Sequence, residues 1–173
     1  VEAAAVARAG GFDYAAARAG GAVVAANTTS DLRATLPARR RVRAALGLEE
    51  SVSAPVGALL ADAGAAPPCF AFSGPAGEIT VELAAPAVPA AFQLERAPSV
   101  DNATNAPRQF SVRGYETLAD AGVALGAFSF DARGAPAQRF PSAAVAKPVA
   151  FVKLSVANNH GAAATRLCRF GVF

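Results

Sequence analysis

Between Glu78 and Leu83 the chain alternates without a break. Ile79, Val81 and Leu83 fall on one side, and Glu78, Thr80 and Glu82 on the other. Successive side chains of an extended strand point to opposite faces, so this pattern commits the segment to a strand with one face on a core. Phe92 and Leu94 repeat the habit against Gln93 and Glu95, Phe110 and Val112 against Ser111 and Arg113, and Phe151–Val156 alternates again. Ala22–Ala26 reads as a short first strand and Leu167–Phe173 as a last one. Gly126–Phe130 and Ala137–Phe140 flank Asp131-Ala-Arg-Gly134, whose composition is that of a hairpin turn. Short strands separated by Pro- and Gly-bearing turns predict an all-β chain, an antiparallel β-sandwich with its core over 70–173. Phe70, Phe72, Phe92, Phe110, Phe128, Phe130, Phe140, Phe151 and Phe170 follow the strand alternation and are assigned to that core.

The front of the chain is different. Residues 1–19 are rich in Ala and Arg and read as a short N-terminal helix, interrupted at Gly10-Gly11 and ended by Gly20-Gly21. Residues 31–68 are punctuated by Pro37, Pro55, Pro67 and Pro68. Within them Arg39–Leu48 reads either as a short amphipathic helix or as one arm of a hairpin. No fixed-period repeat and no internal linker occurs, so the 173 residues are read as one domain, long enough to bury a sizeable core.

Composition excludes more than it assigns. The net charge of +3 is mild and the basic residues are scattered apart from Arg39–Arg43, so no nucleic-acid partner is implied. With no Trp and only Tyr14 and Tyr115, there is no aromatic platform for stacking bases or sugars. His160, the only histidine, sits in the turn-like Asn158-Asn-His-Gly161 and reads as a structural or exposed loop residue. A metal cluster built on several histidines is therefore excluded, and Cys69 and Cys168 are too far apart for a zinc-ligand pair. Neither a nucleophile elbow nor a phosphate-cradling glycine motif is present, so an enzyme is not expected. No run of about 18 apolar residues occurs, and no membrane insertion by this segment is expected. The start lacks a basic stretch leading into an apolar one, and Val1 is not an initiator, so the chain is expected to be a fragment with its anchor elsewhere. Asn27-Thr-Thr29 and Asn102-Ala-Thr104 are glycosylation sequons that lean toward an oxidising compartment. The two cysteines by themselves are open between a pair of buried thiols and a bridge.

Several short pieces, in order, share a pattern. Phe12-Asp-Tyr-Ala15 and Gly20-Gly-Ala-Val23 stand where "DYAL" and "SGGA.V" would. Pro68-Cys-Phe-Ala-Phe72 with Gly74 and Gly77 matches "CWAF" followed by spaced glycines, with Phe70 in place of the Trp. Leu94-Glu-Arg-Ala-Pro98 and Ala106-Pro-Arg-Gln-Phe110 match "LE..P" and "AP..F". Leu125–Asp131 matches "LLG.F.YD", Asn159-His-Gly161 matches "NWG", and Leu167–Val172 matches the closing "C.YRFRV". In this order the pieces resemble a SUN domain, and the likeness covers about residues 12–173.

That resemblance implies a galactose-binding-like β-sandwich with a short N-terminal helix, and a non-catalytic one. It implies a lumenal domain of an inner nuclear membrane protein of the LINC complex, trimeric, gripping the C-terminal tail of a KASH-type outer nuclear membrane protein. The family's lid falls on about 31–53. The implied peptide-binding residues are Leu32, Leu36, Val42 and Leu46 of the lid, with Arg96, Asn105 and Phe170 at the terminal pocket. Arg96 stands where the family commonly has His, and a guanidinium there suits a terminal carboxylate. On the residues alone it reads as a surface arginine at a strand end. The resemblance further implies a Cys69–Cys168 disulfide and a monovalent cation, potassium, held by backbone carbonyls of Ala58, Ala61 and Ala63, while the sequons themselves mark Asn27 and Asn102 as glycosylation sites. Thr29 replaces the cysteine that bridges some partners covalently, and the lid is basic and Ala-rich where the family's is hydrophobic. The competing readings are a lectin-like or discoidin-like sandwich that binds glycan or matrix, and a purely structural lumenal module.

Overall fold

A computed structural model describes residues 11–28, 55–61, 69–97 and 100–173, with the backbone alone for 100–102. The described residues form ten strands: β1 (Ala22–Thr28), β2 (Phe70–Ser73), β3 (Gly77–Ala87), β4 (Ala91–Glu95), β5 (Pro107–Tyr115), β6 (Val123–Ser129), β7 (Ala137–Pro141), β8 (Val149–Asn159), β9 (Ala164–Leu167) and β10 (Arg169–Val172). All pairings are antiparallel. They give a five-stranded sheet ordered β1-β3-β8-β5-β6, a three-stranded sheet ordered β10-β4-β7, and the pair β2-β9. One apolar core joins them. Ile79, Val81 and Leu83 of β3, Val152 and Leu154 of β8, and Phe110 and Val112 of β5 share it with Phe92 and Leu94 of β4 and with Phe170 of β10.

The expected alternation is what makes this possible, since each strand delivers every second side chain to one face. Burying each large apolar side chain contributes about 1.5–3 kcal/mol. Phe110, Phe128 and Phe140 form a ring triangle across the two larger sheets, with centroids 5.0–5.4 Å apart. Phe128 and Phe140 are only partly buried and close the sandwich rather than fill it. Phe151 is likewise only partly covered, so it belongs to the rim and not to the core assigned from sequence.

Three expectations are corrected. The segment Asp131–Gly134 is not a hairpin turn, because β6 pairs with β5 while β7 pairs with β4 in the other sheet. The turn carries the chain across the sandwich, so that Phe128 and Phe140 meet from opposite sides. The final strand is two strands: β9 pairs with β2 and β10 with β4, and the break falls on Cys168. The N-terminal helix, within residues 11–19, is a single 3-10 turn over Ala17–Ala19; residues 1–10 lie outside the described residues.

The helix fails for a local reason. The Tyr14 N–H donates to the Val172 carbonyl and the Tyr14 carbonyl accepts from Ala84 N–H, each at 2.8 Å. Both backbone groups are thus spent on strands β10 and β3. Asp13 Oδ1 accepts the Ala15 and Val172 N–H groups at 3.0 Å, which ties the same strap to β10. Gly20, at φ 109°, then closes the 3-10 turn in the left-handed region that glycine tolerates. Farther on, Val56–Leu60 forms a 3-10 turn that drives Leu59 and Leu60 into the core. The lid expected over 31–53 lies outside the described residues.

Candidate functional site

The site is built where β9 gives way to β10. Cys168 occupies the break and is bridged to Cys69, which directly precedes β2, with Cα atoms 3.9 Å apart. The Cys168 N–H donates to the Glu95 carbonyl at 2.9 Å, which brings the bridge to the end of β4 and next to Arg96. The 3-10 turn Val100–Asn105 packs against β9, so Asn105, which is half-buried, belongs to the same end of the sandwich.

Arg96 is not the surface arginine its position suggests. Only 7% of it is exposed. Its N–H donates to the Pro136 carbonyl at 2.9 Å. Nη1 donates to the Ala97 carbonyl at 2.7 Å and Nη2 to the Gly134 carbonyl at 3.2 Å, while Nε is buried without a hydrogen-bond partner. No carboxylate among the described residues pairs with it. Neutral carbonyls offset only part of the cost of taking a guanidinium out of water.

The other predicted residues divide sharply. Phe170 is corrected as a surface contact: it is 1% exposed and stacks on Phe92 with centroids 6.3 Å apart. The pairing of β10 with β4 aligns Phe170 with Leu94, and its ring fills the core as a result. Leu32, Leu36, Val42 and Leu46 lie outside the described residues. Asn27 is exposed on β1, the outermost strand of its sheet; Asn102 lies on the 3-10 turn beside Asn105. The Ala58 carbonyl accepts the Ala61 N–H at 3.1 Å, which leaves it one lone pair for a cation, and Ala63 lies outside the described residues. Among the described residues no group of three or more His, Cys, Asp or Glu side chains converges.

Two features escaped the sequence. Arg169 is 8% exposed and pairs with Asp13 at 2.8 Å and with Glu95 at 3.7 Å. Asp13 lies in the stretch whose composition predicts helix and Arg169 in the predicted last strand, and nothing in their spacing joins them. The second is an open cavity of about 410 Å³ on the same end, where Arg108 from β5, Arg133 from the crossing turn and His160 from the turn after β8 converge. His160 Nε2 lies 3.0 Å from the Phe130 carbonyl, which fixes the ring against the end of β6, as a structural loop residue would be.

The family profile described as Sad1/UNC-like C-terminal matches residues 50–173, most of the chain. Mouse SUN domain-containing protein 2 is 40% identical over 77 residues, which cover 42% of this chain and 10% of that protein. The chain thus spans about a tenth of this relative's length. Among solved structures, the family 32 carbohydrate-binding module of Streptococcus pneumoniae EndoD superposes with a TM-score of 0.63 at 12% identity, covering 94% of this chain and 99% of its own. A Clostridium perfringens module of family 32, in complex with GalNAc-β-1,3-galactose, gives 0.60 at 14% identity over 86% and 94%. The C-terminal domain of a Bacteroides fragilis chitobiase gives 0.60 at 13% over 88% and 92%. Identities this low speak for a shared β-sandwich fold alone. The profile match over most of the chain, with the mouse relative in agreement, places the protein in the SUN domain family.

Proposed function

We propose that this domain is a non-catalytic lumenal grip, which binds the C-terminal tail of a KASH-type outer nuclear membrane protein and so links nucleus to cytoskeleton. The single observation that carries the reading is Arg96. A buried guanidinium whose charge no acid among the described residues compensates, beside a bridge that stiffens its surroundings, is suited to receive a carboxylate from outside the chain. A peptide's terminal carboxylate is the matching group. Asn105, on the turn against β9, supplies a neutral donor and acceptor at the same end. The lid segment over 31–53, with Leu32, Leu36, Val42 and Leu46, covers the peptide by strand addition, where backbone bonds supply affinity and pockets supply specificity.

In this reading the protein works as a homotrimer in the space between the nuclear membranes, anchored by segments outside this chain. No helix among the described residues is long and apolar enough to cross a membrane. Asn27 and Asn102 carry glycans, and a potassium ion on the carbonyls of Ala58, Ala61 and Ala63 pins the loop ahead of Cys69. Calorimetry with C-terminal peptides of KASH-type proteins tests the core of it. Amidating the peptide terminus should weaken binding by about 2 kcal/mol, the worth of a buried charge-assisted contact. Equal affinity of acid and amide would remove the terminal-pocket assignment and leave the fold untouched.

A further inference from the structure

The cavity of about 410 Å³ between the 3-10 turn Val100–Asn105, the start of β5, the crossing turn and the turn after β8 is not used by the tail reading. Its rim carries Thr104, Arg108, Asp131, Arg133 and His160. Arg108 and Arg133 are both exposed, and no carboxylate among the described residues pairs with either. Asp131, the one acid among the described residues on the rim, is only half-engaged: its Oδ1 accepts the Arg133 N–H at 2.9 Å within its own turn.

The turn that presents these groups is tied down. Gln138 donates to the carbonyls of Asp131 and Ala135 at 2.6 and 2.9 Å and accepts the Asp131 N–H at 3.0 Å. Gly134 N–H donates to the Asp131 carbonyl at 3.1 Å, and the buried Arg96 braces the Gly134 carbonyl from the core side. Such bracing lowers the ordering cost of binding. With Nε2 donating to the Phe130 carbonyl, the His160 ring keeps Nδ1 for a ligand.

We propose that this cavity binds a carboxylate-bearing sugar. Two guanidinium groups take the carboxylate, because planar forked donors match its two oxygens. Asp131 Oδ2, Thr104 Oγ1 and His160 Nδ1 face the hydroxyls, which need acceptors as much as donors. Asp131 also decides against a phosphate or sulfate: a fixed negative charge repels a dianion, while it welcomes a hydroxyl proton. Volume agrees, since pockets of roughly 300 Å³ and more are the usual size for a small ligand.

The test uses the full 173-residue chain, made in bacteria so that no glycan is attached, in an NMR titration with glucuronate, glucose and inorganic phosphate. Glucuronate should shift the backbone signals of residues 104, 108, 131–134 and 160 and bind at least about tenfold more tightly than glucose or phosphate. Arg108→Ala and Arg133→Ala should each weaken glucuronate by about tenfold and together abolish it, with unfolding midpoints unchanged because both side chains are exposed. Equal binding of glucose, tighter binding of phosphate, or undiminished glucuronate binding in the double variant would overturn the proposal. Displacement of glucuronate by a free-acid tail peptide would overturn it too, by giving the carboxylate to the peptide. Loss of tail binding with glucuronate retained would count against the tail reading alone.

Discussion

Two arginines of the three-stranded sheet are buried to nearly the same degree and live in opposite electrostatic worlds. Arg169 is 8% exposed and Arg96 7%. They belong to neighbouring strand ends, since Arg169 pairs in register with Glu95, the residue before Arg96. Arg169 faces Asp13 at 2.8 Å and Glu95 at 3.7 Å, and Glu95 Oε1 also accepts from Gln93 at 2.6 Å. Its charge is answered by two acids, the nearer of them from the far end of the chain, so the cluster fastens the N-terminal strap to the last strand. Arg96 has carbonyls on two sides, nothing on Nε, and no acid among the described residues. The difference separates a charge that fastens two parts of the chain from one that no described acid answers.

The largest effect should come from the bridge behind Arg96. Cys69 and Cys168 close a loop of 99 residues, which the chain-entropy account converts to about 4–5 kcal/mol. Cys69→Ser with Cys168→Ser should lower unfolding stability in urea by an amount approaching that, and a loss under about 1 kcal/mol would mean that the site needs no clamp. Next comes the paired arginine. Asp13→Ala takes away the nearer of the two acids that pair with Arg169, leaving Glu95 at 3.7 Å, frees two N–H groups, and should cost about 3–5 kcal/mol. If thermal unfolding moves by no more than a surface substitution would move it, Arg169 is not what it is taken to be. The smallest effect belongs to Arg96 without ligand. Arg96→Met removes a charge that no described acid compensates and should change stability by about 1 kcal/mol or less, in either direction. A loss as large as that of Asp13→Ala would erase the contrast between the two arginines.

Strand positions were legible because alternation is a local signal. Ile79, Val81 and Leu83 announce a buried face, and that face is where they lie. Pairing is not local. Asp131-Ala-Arg-Gly134 has the residues of a hairpin turn, yet which sheet β7 joins depends on Phe140 meeting Phe110 and Phe128 across the core. The break at Cys168 was hidden for the same reason: the bridge and the switch of sheets are tertiary facts. Ala-rich propensity predicts the N-terminal helix, a weak preference that Asp13 and Tyr14 override with bonds to β10 and β3. At the site, resemblance supplied Arg96, Asn105 and the cysteine pair; alternation already put Phe170 in the core against its pocket role, while the burial of Arg96 needed three dimensions. Arg108 and Arg133 gave no signal at all, since an exposed arginine on a strand and another in a turn look like any surface residues.

The central claim is that the Arg96 charge is kept for a peptide carboxylate. It is tested most directly by a double-mutant cycle in which free-acid and amidated KASH-type tail peptides are titrated calorimetrically into the wild-type chain and into Arg96→Gln. Amidation should weaken wild-type binding about tenfold or more and leave binding to Arg96→Gln nearly unchanged, a coupling of at least about 1.4 kcal/mol. Equal losses on amidation in both proteins would show that the carboxylate and Arg96 never meet.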